Sequence, residues 1–289
     1  MPLNDNLRGA AFMVAAMAGF AVEDMFLKAA ARQMPLGQVI LIVGLCGIVT
    51  FGLMAARRGE APLPRAFLHP ALIIRSGFEV AGRLFYSLAI ALTPLSTTSA
   101  ILQATPLLVV ASAAVLFGEK VGWRRWSAVM VGFAGVLIIL RPGLQGFSLM
   151  SLLAVAGMIG FAGRDLATRA APKVLSNRQL GLAGFAMLAL AGATLLAISG
   201  GATLPDLRGL GLLAGTATFA ILAYHALTSA MRTGEISFVT PFRYTRLIFA
   251  LILAVLVFGE RPDLPTLLGS ALIVASGIYT LARSNRRRA

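Results

Sequence analysis

The chain has 289 residues, of which 58% are hydrophobic and 12% charged, and a formal net charge of +14; its mean hydropathy is +0.86. Soluble domains are about 45–50% apolar and about 25% charged, so this chain has too little charge to cover a surface facing water, which excludes a soluble enzyme, a nucleic-acid-binding domain and a disordered protein. One cysteine, Cys46, excludes a disulfide framework, and His69 and His225 are too few for a zinc or di-iron centre, so a polytopic membrane protein without metal or cofactor is expected.

A membrane-crossing helix needs about 20 mainly apolar residues. Ten segments approach that length, near 8–28, 36–56, 68–91, 95–117, 123–140, 149–170, 178–199, 207–231, 236–258 and 264–282. The first ends in Glu23, Asp24 and Lys28; its Ala16-Met17-Ala18 stretch mimics a signal-peptidase site, but the apolar run is long enough to span and no cleavage is expected. The third is interrupted by Arg75, Glu79 and Arg83, the fourth holds Gln103 and Pro106, and the fifth has no charge in its apolar run. The sixth carries Arg164, Asp165 and Arg169, the eighth Tyr224 and His225, the ninth Pro241, Arg243, Tyr244 and Arg246. Interior charges make the third and ninth the least regular spans. The fifth and tenth carry small residues (Ala128, Gly132, Gly135, Gly269, Ser270, Gly277), which suit close helix packing or self-association. These two helices are read as peripheral and as the seam of a homodimer.

With ten spans both termini share one side. That side collects 15 of the 25 basic residues, including Arg57, Arg58, Arg124, Arg125 and the Arg286-Arg287-Arg288 tail; the other holds 5, namely Lys28, Arg32, Arg141, Arg208 and Arg261. Lys and Arg accumulate on the cytoplasmic side, so both termini are placed in the cytoplasm, and the basic tail is a topology anchor with no call for nucleic acid.

Shifting the chain by 141 residues aligns its halves. Met17, Gly19, Phe20, Ala21, Asp24, Ala29 and Ala30 fall on Met158, Gly160, Phe161, Ala162, Asp165, Ala170 and Ala171, and Lys28 falls on Arg169. Phe117-Gly118-Glu119-Lys120 falls on Phe258-Gly259-Glu260-Arg261, with Gln38 on Gln179, Phe78 on Phe219 and Ser96 on Ser237. Loose matching of Ala- and Leu-rich helices does not explain Asp on Asp or Phe-Gly-Glu on Phe-Gly-Glu. Five spans per repeat force the halves to enter the membrane from opposite sides, the organisation of many secondary transporters. The expected fold is therefore an all-α integral membrane protein of ten transmembrane helices in two inverted five-helix repeats, 1–145 and 146–289.

With its two Phe-Gly-Glu turns, each followed by a Gly-containing last helix (Gly132–Gly135 and Gly269–Gly277), the chain resembles the drug/metabolite transporter superfamily in its EamA-type form. The resemblance covers nearly the whole chain. It implies a bacterial inner-membrane carrier of amino acids, nucleotide sugars, cofactors or drugs. The stretch Pro241-Phe242-Arg243-Tyr244, followed by Phe-Gly-Glu and Pro262-Asp263, is similar to S-adenosylmethionine and riboflavin carriers.

Charges within a membrane cost about 2.5–3.5 kcal/mol each on insertion scales and mark functional sites by default. Arg75, Glu79 and Arg83 recur at i, i+4, i+8 with Tyr86 three further on, so one helical face carries all four. They form either a structural ladder or a site in which Glu79 takes a proton or an ammonium while an arginine holds a carboxylate. Asp24 with Lys28, and Asp165 with Arg169, repeat one i, i+4 pair in both halves and are read as structural ion pairs at helix ends. Glu23 and Arg164 occupy equivalent positions with opposite charge and are pathway or gate candidates.

Pro241 and Pro106 each remove a backbone hydrogen bond and expose carbonyls, the latter beside Gln103. Arg243 and Arg246 share a face and either snorkel to the interface or meet substrate. Tyr244, Tyr224 and His225 are candidates for stacking on a ligand or hydrogen-bonding it. Five deep arginines face four deep carboxylates, so about three arginines await a partner, and arginine pairs well with carboxylate. The expected activity is carriage of a small carboxylate-bearing metabolite such as an amino acid or derivative, with a vitamin or cofactor carrier as the alternative. A channel would share the symmetry. A membrane enzyme lacks support, since no HExxH, GxSxG, CxxC or P-loop pattern occurs.

Overall fold

The computed structural model describes residues 3–61, 64–116, 118, 122–142, 148–170, 175–233 and 236–285, and is built of helices with no strand among them. In chain order these are α1 (Leu3–Ala30), α2 (Leu36–Ala56), α3 (Pro70–Leu92), α4 (Leu95–Leu102), α5 (Thr105–Leu116), α6 (Trp123–Leu140), α7 (Ser151–Ala170), α8 (Asn177–Ser199), α9 (Leu207–Thr233), α10 (Ile236–Val239), α11 (Thr245–Phe258) and α12 (Leu264–Asn285). Their ends carry recognisable signals. His69 caps α3, whose first residue is Pro70. Ser176 and Gln179 form a reciprocal capping box at the start of α8, and Gly200, at φ 71°, ends it.

The fourth and ninth spans are broken at equivalent places. Between α4 and α5, Pro106 removes a backbone donor and the Thr105 hydroxyl donates to the Leu102 carbonyl at 2.6 Å. Between α10 and α11 a 3-10 turn, Thr240–Tyr244, contains Pro241, and the Thr245 hydroxyl donates to the Phe242 carbonyl at 2.7 Å. At Pro106 the hydroxyl thus satisfies the carbonyl that proline leaves free, as a membrane interior demands.

Six segments are long and apolar enough to cross a membrane by themselves: Asn4–Ala30, Leu36–Ala56, Leu95–Leu116, Asn177–Ser199, Leu207–Met231 and Thr240–Phe258. The ninth span, although broken at Pro241, is therefore apolar enough to cross despite Arg243 and Arg246, whereas the third, an unbroken helix, is not among the six. Charge is concentrated instead on α3 (Arg75, Glu79, Arg83) and α7 (Arg164, Asp165), and the two helices pack on each other, with Arg164 reaching Glu79. Outward faces are apolar, with Leu45, Val49 and Leu53 on α2 and Ile252 and Leu256 on α11 exposed, as lipid contact requires.

The halves are interleaved. α1 packs on α9 and α7 on α3, the same contact seen from each repeat, while α2 packs on α8 and α6 on α12, each helix meeting its own counterpart. Glycines set these distances. A Cβ on Gly160 of α7 would lie 2.5 Å from the Gly82 Cα of α3, and in the other half one on Gly19 of α1 would lie 2.9 Å from the Ala223 Cβ of α9. On α6 and α12, Cβ atoms added to Gly135 and Gly269 would each meet the other residue's carbonyl oxygen, at 2.7 and 2.5 Å. Of the small residues read as a dimer seam, Gly135 and Gly269 face each other inside one chain.

The repeat also shows in two glutamines. Gln38 donates to the Thr203 carbonyl at 2.7 Å and accepts from the Thr203 N–H at 2.9 Å. Its counterpart Gln179 donates to the Ala61 carbonyl at 2.9 Å, so each half clasps a loop of the other. Beside Ala61, Glu60 accepts from the Ser176 hydroxyl at 2.6 Å and from Arg178. The hydrogen bond from Arg178, then that from Ser176, pulls the Glu60 carboxyl from 4.5 down to about 2. A depressed carboxyl contributes stability that is full above its unfolded value and lost as pH falls through its folded one. The difference in unfolding temperature between the native chain and Glu60→Gln is therefore expected to be constant above about pH 4.5 and to close toward about pH 2. A difference that closes near neutral pH would remove Glu60 as its source.

Candidate functional site

The close crossing at Gly82 and Gly160 brings the charged faces of α3 and α7 together. Glu79, 2% exposed, lies amid three guanidinium groups: Arg75 at 3.2 Å, Arg83 at 3.6 Å and Arg164 at 3.2 Å. Arg75 is further held by the Thr168 hydroxyl at 3.0 Å. Arg164 also grips Asp165 at 2.8 Å and lies over the Phe161 ring, 4.9 Å from its centroid. Three guanidinium groups thus surround Glu79, of which Arg164 donates a hydrogen bond to it at 3.2 Å, while its Oε2 is buried without a hydrogen-bond donor among the described residues.

A second cluster joins α1, α3 and α11. Asp24 accepts from Arg246 at 2.6 Å and from the Tyr86 hydroxyl at 3.0 Å. The Arg246 guanidinium also lies between the Phe20 and Tyr86 rings, 5.2 and 5.6 Å from their centroids. Asp24 therefore does not pair with Lys28, as the i, i+4 spacing suggested. Two partners approaching across helix crossings, Arg246 and Tyr86, each supply one hydrogen bond to Asp24.

Lys28 turns to the end of the bundle where α1, α3 and α11 finish. It donates to the carbonyls of Thr93 and Ile90 and lies 3.5 Å from Glu260. Glu260, of the second Phe-Gly-Glu turn, follows Gly259 at φ 63° and caps the start of α4. Its carboxylate accepts from the Leu95 N–H at 2.7 Å, the Ser96 N–H at 3.1 Å and the Ser96 hydroxyl at 2.8 Å, where an anion meets the free N–H groups of a helix N-terminus. The Phe258 ring sits beneath Lys28 and Arg32. This tie closes one end of the bundle. Sequence reasoning recorded the turn but not its role; the repeat match of Ser96 with Ser237 was the signal available. Phe117, Glu119 and the Arg169 side chain, and with them the Asp165–Arg169 pair, lie outside the described residues.

Between these clusters opens a cavity of about 780 Å³, counting its open mouth. Both helix breaks contribute to its wall: Gln103 and Thr105 from one, Arg243 and Tyr244 from the other. Interrupted helices at corresponding places in two inverted halves mark substrate sites in carriers of this build. Arg83, Tyr86, Arg164, Asp165 and Arg246 complete its polar lining, and Phe20 and Phe161 supply aromatic faces. Gln103 donates to the Arg243 carbonyl at 3.1 Å, tying the two breaks together.

Arg243 differs from the other deep arginines. Its guanidinium lines the cavity with no carboxylate within 4.0 Å among the described residues. Of the three arginines that the sequence left without a partner, the fold therefore provides for two. The Tyr244 hydroxyl is buried without a partner, pressed against Gly277.

The remaining candidates lie elsewhere. Glu23 lines a neighbouring, smaller cavity. Tyr224 packs edge-on against Phe51 and Phe185 at 5.3 and 6.0 Å in the apolar seam of α2, α8 and α9. His225, one residue on, is exposed on the outer face of α9. Neither lines the cavity, because adjacent helical residues point about 100° apart and α9 turns its other face inward.

Comparison with known proteins agrees with this arrangement. A family model described as the EamA-like transporter family matches residues 7–141 and again 147–282. Among curated relatives, an S-adenosylmethionine uptake transporter of Rickettsia bellii is 25% identical over 75% of this chain and 73% of its own length. A riboflavin transporter of Vibrio cholerae is 28% identical over 93% of this chain and 91% of its own. A pseudopaline exporter of Pseudomonas aeruginosa is 27% identical over 96% and 97%. A solved crystal structure of 18% identity shares the fold, with a TM-score of 0.63 over 93% of this chain and 98% of that one. Two interleaved helical halves, a central cavity at paired helix breaks and two successive matches to one family model lead to one conclusion: the chain is a multi-pass membrane protein that belongs to the EamA-like transporter family.

Proposed function

We propose that the chain is a secondary carrier that moves a small carboxylate-bearing metabolite, an amino acid or a derivative of one, across a bacterial inner membrane by alternating access, with both termini in the cytoplasm. The observation that carries this reading is Arg243, which lines the central cavity together with Asp165 but forms no ion pair within 4.0 Å among the described residues. Leaving such a group without a counter-ion is costly in a low-dielectric interior, and a substrate carboxylate is the bidentate partner whose geometry fits it. Arg83 lines the same cavity, shared only loosely with Glu79 at 3.6 Å. Phe20, Phe161, Tyr86 and Tyr244 line the same space, where a flat ring can stack.

The relatives' names favour a second reading within the same site, a cofactor or vitamin carrier of the S-adenosylmethionine or riboflavin type. S-adenosylmethionine is itself an amino-acid derivative with a carboxylate and an aromatic base, so it satisfies both walls. Riboflavin has no carboxylate and would engage the aromatic wall alone.

Counterflow in proteoliposomes separates these readings. Vesicles are preloaded with one unlabelled compound (amino acids, organic acids, S-adenosylmethionine, riboflavin) and uptake of its labelled form is followed. A carboxylate compound should exchange saturably, and Arg243→Ala should raise its half-saturation concentration by about 30-fold or more, the equivalent of about 2 kcal/mol for truncating one partner of a buried charge pair. Arg83→Ala should act in the same direction. Exchange of riboflavin alone, indifferent to both substitutions, would overturn the carboxylate reading and leave the flavin one. Flux that neither saturates nor exchanges would indicate a channel.

A further inference from the structure

Four carboxylates lie deep in the bundle among the described residues, and three are committed. Glu79 is surrounded by Arg75, Arg83 and Arg164, Asp24 is held by Arg246 and Tyr86, and Asp165 is held by Arg164. The fourth, Glu23, is 6% exposed and forms neither a hydrogen bond nor an ion pair within 4.0 Å among the described residues. It borders a second, narrow cavity whose wall combines Leu27, Ile40, Val43 and Leu188 with polar side chains of α1, α3 and α9. We propose that Glu23 is the proton-binding site of this carrier, and that its occupation is coupled to entry of the carboxylate substrate into the neighbouring cavity.

The surroundings select a proton. Around Glu23, α1 presents Asp24, α3 presents Arg83 and Tyr86, and α11 presents Arg246; α2 and α8 contribute only aliphatic side chains, and α9 contributes Thr216. A hard metal cation needs several oxygen ligands, but the nearest other carboxylate is already engaged by Arg246 and Tyr86. A proton needs only the one carboxylate. Glu23 is also the deep carboxylate whose charge can change without breaking an existing bond, which a group that must load and unload in every cycle requires.

Coupling follows from charge and from the shared wall. Arg83 and Tyr86 line both cavities, so the substrate site and Glu23 are neighbours across two side chains. A substrate that carries a net negative charge, its carboxylate not balanced by an ammonium, adds that charge to a low-dielectric interior when it enters beside Arg243. A proton entering with it on Glu23 restores the previous net charge, and the cost of changing the interior charge is avoided. Proton and anion therefore load as a neutral pair. In the step itself an O–H bond forms between a Glu23 carboxylate oxygen and a proton taken from water on one face. After the bundle reorients, the same bond breaks and returns the proton to water on the other face; no electrons are transferred.

The coupling rests on the carrier reading above, and the test separates the two. Infrared difference spectra of the reconstituted native chain, without substrate, are recorded as pH is changed across the neutral range. A protonated-carboxyl band should titrate, vanish in Glu23→Gln and shift in Glu23→Asp, which decides the matter if the glutamine variant fails to assemble. A titrating band that survives both substitutions unchanged would overturn the proposal. In vesicles containing a trapped pH indicator, an imposed pH gradient should drive uphill accumulation of whichever labelled panel compound exchanges, by about tenfold per pH unit for one proton per molecule. In Glu23→Gln the ratio of protons to substrate moved should fall to zero. Accumulation driven by a sodium gradient and not by a proton gradient, or an unchanged ratio in Glu23→Gln, would also overturn it. If no panel compound exchanges, the carrier reading fails while the infrared result still decides whether Glu23 binds a proton.

Discussion

Glu79→Ala is expected to destabilise the folded chain by about 3–5 kcal/mol, the cost of leaving buried ion-pair partners uncompensated. Three guanidinium groups converge on this carboxylate, and two of them share its helix at i−4 and i+4. Without it, Arg75 keeps the Thr168 hydroxyl and Arg164 keeps Asp165, but Arg83 loses the one carboxylate within 4.0 Å of it among the described residues. The repulsion then acts across the α3–α7 contact, so helix separation is expected as well as lost stability. The measurement is the free energy of denaturant-induced unfolding in detergent micelles, with Glu60→Gln, in a loop, as a comparison expected to lose far less. A loss below about 1 kcal/mol for Glu79→Ala would mean that the arginines find water or other partners, and that Glu79 does not organise the site.

Gly160→Val tests the other requirement of the same contact. The added Cβ would meet the Gly82 Cα at 2.5 Å and its nitrogen at 2.6 Å. Neither is a flexible side-chain end, so two backbones must part. Overpacking commonly costs about 1–3 kcal/mol, and a clash of backbone with backbone belongs at the top of that range. Separation would also stretch the 3.2 Å contact between Arg164 and Glu79, so substrate exchange is expected to fall further than stability alone accounts for. The comparison is Gly184→Ala on α8, where an added Cβ meets nothing within 4 Å; it should be neutral or gain up to about 1 kcal/mol from helix propensity. Equal losses for the two variants would remove the close-approach argument.

Much of the fold was legible because a membrane imposes long apolar segments and punishes unsatisfied backbone. The repeat was readable for a related reason: Asp24 and Asp165, or Gln38 and Gln179, stand out against an aliphatic background. Gln38 and Gln179 perform the same clasp on Thr203 and Ala61, and the breaks at Pro106 and Pro241 fall where proline chemistry places them.

Pairing of charges was not legible. Spacing at i, i+4 described Arg75, Glu79 and Arg83 correctly as one face, yet the same rule misassigned Asp24. Its partner, Arg246, is 222 positions away, and no local pattern encodes a crossing between α1 and α11. Lys28 and Glu260 likewise meet only because α1 and α11 finish at the same end. Tyr224 and His225 were equally polar in sequence and adjacent, and only the orientation of α9 sends one into an apolar seam and the other outward.

The sequence by itself determined the class, the helical passes, the twofold internal repeat and the set of charged residues inside the bundle, because hydropathy and periodicity act over single helices. The tertiary structure alone decided which charges neutralise one another and which remain available, Arg243 beside the cavity and Glu23 behind it. Electrostatic partnership in a low-dielectric interior depends on separations of a few ångströms, and those are set where helices from opposite ends of the chain cross.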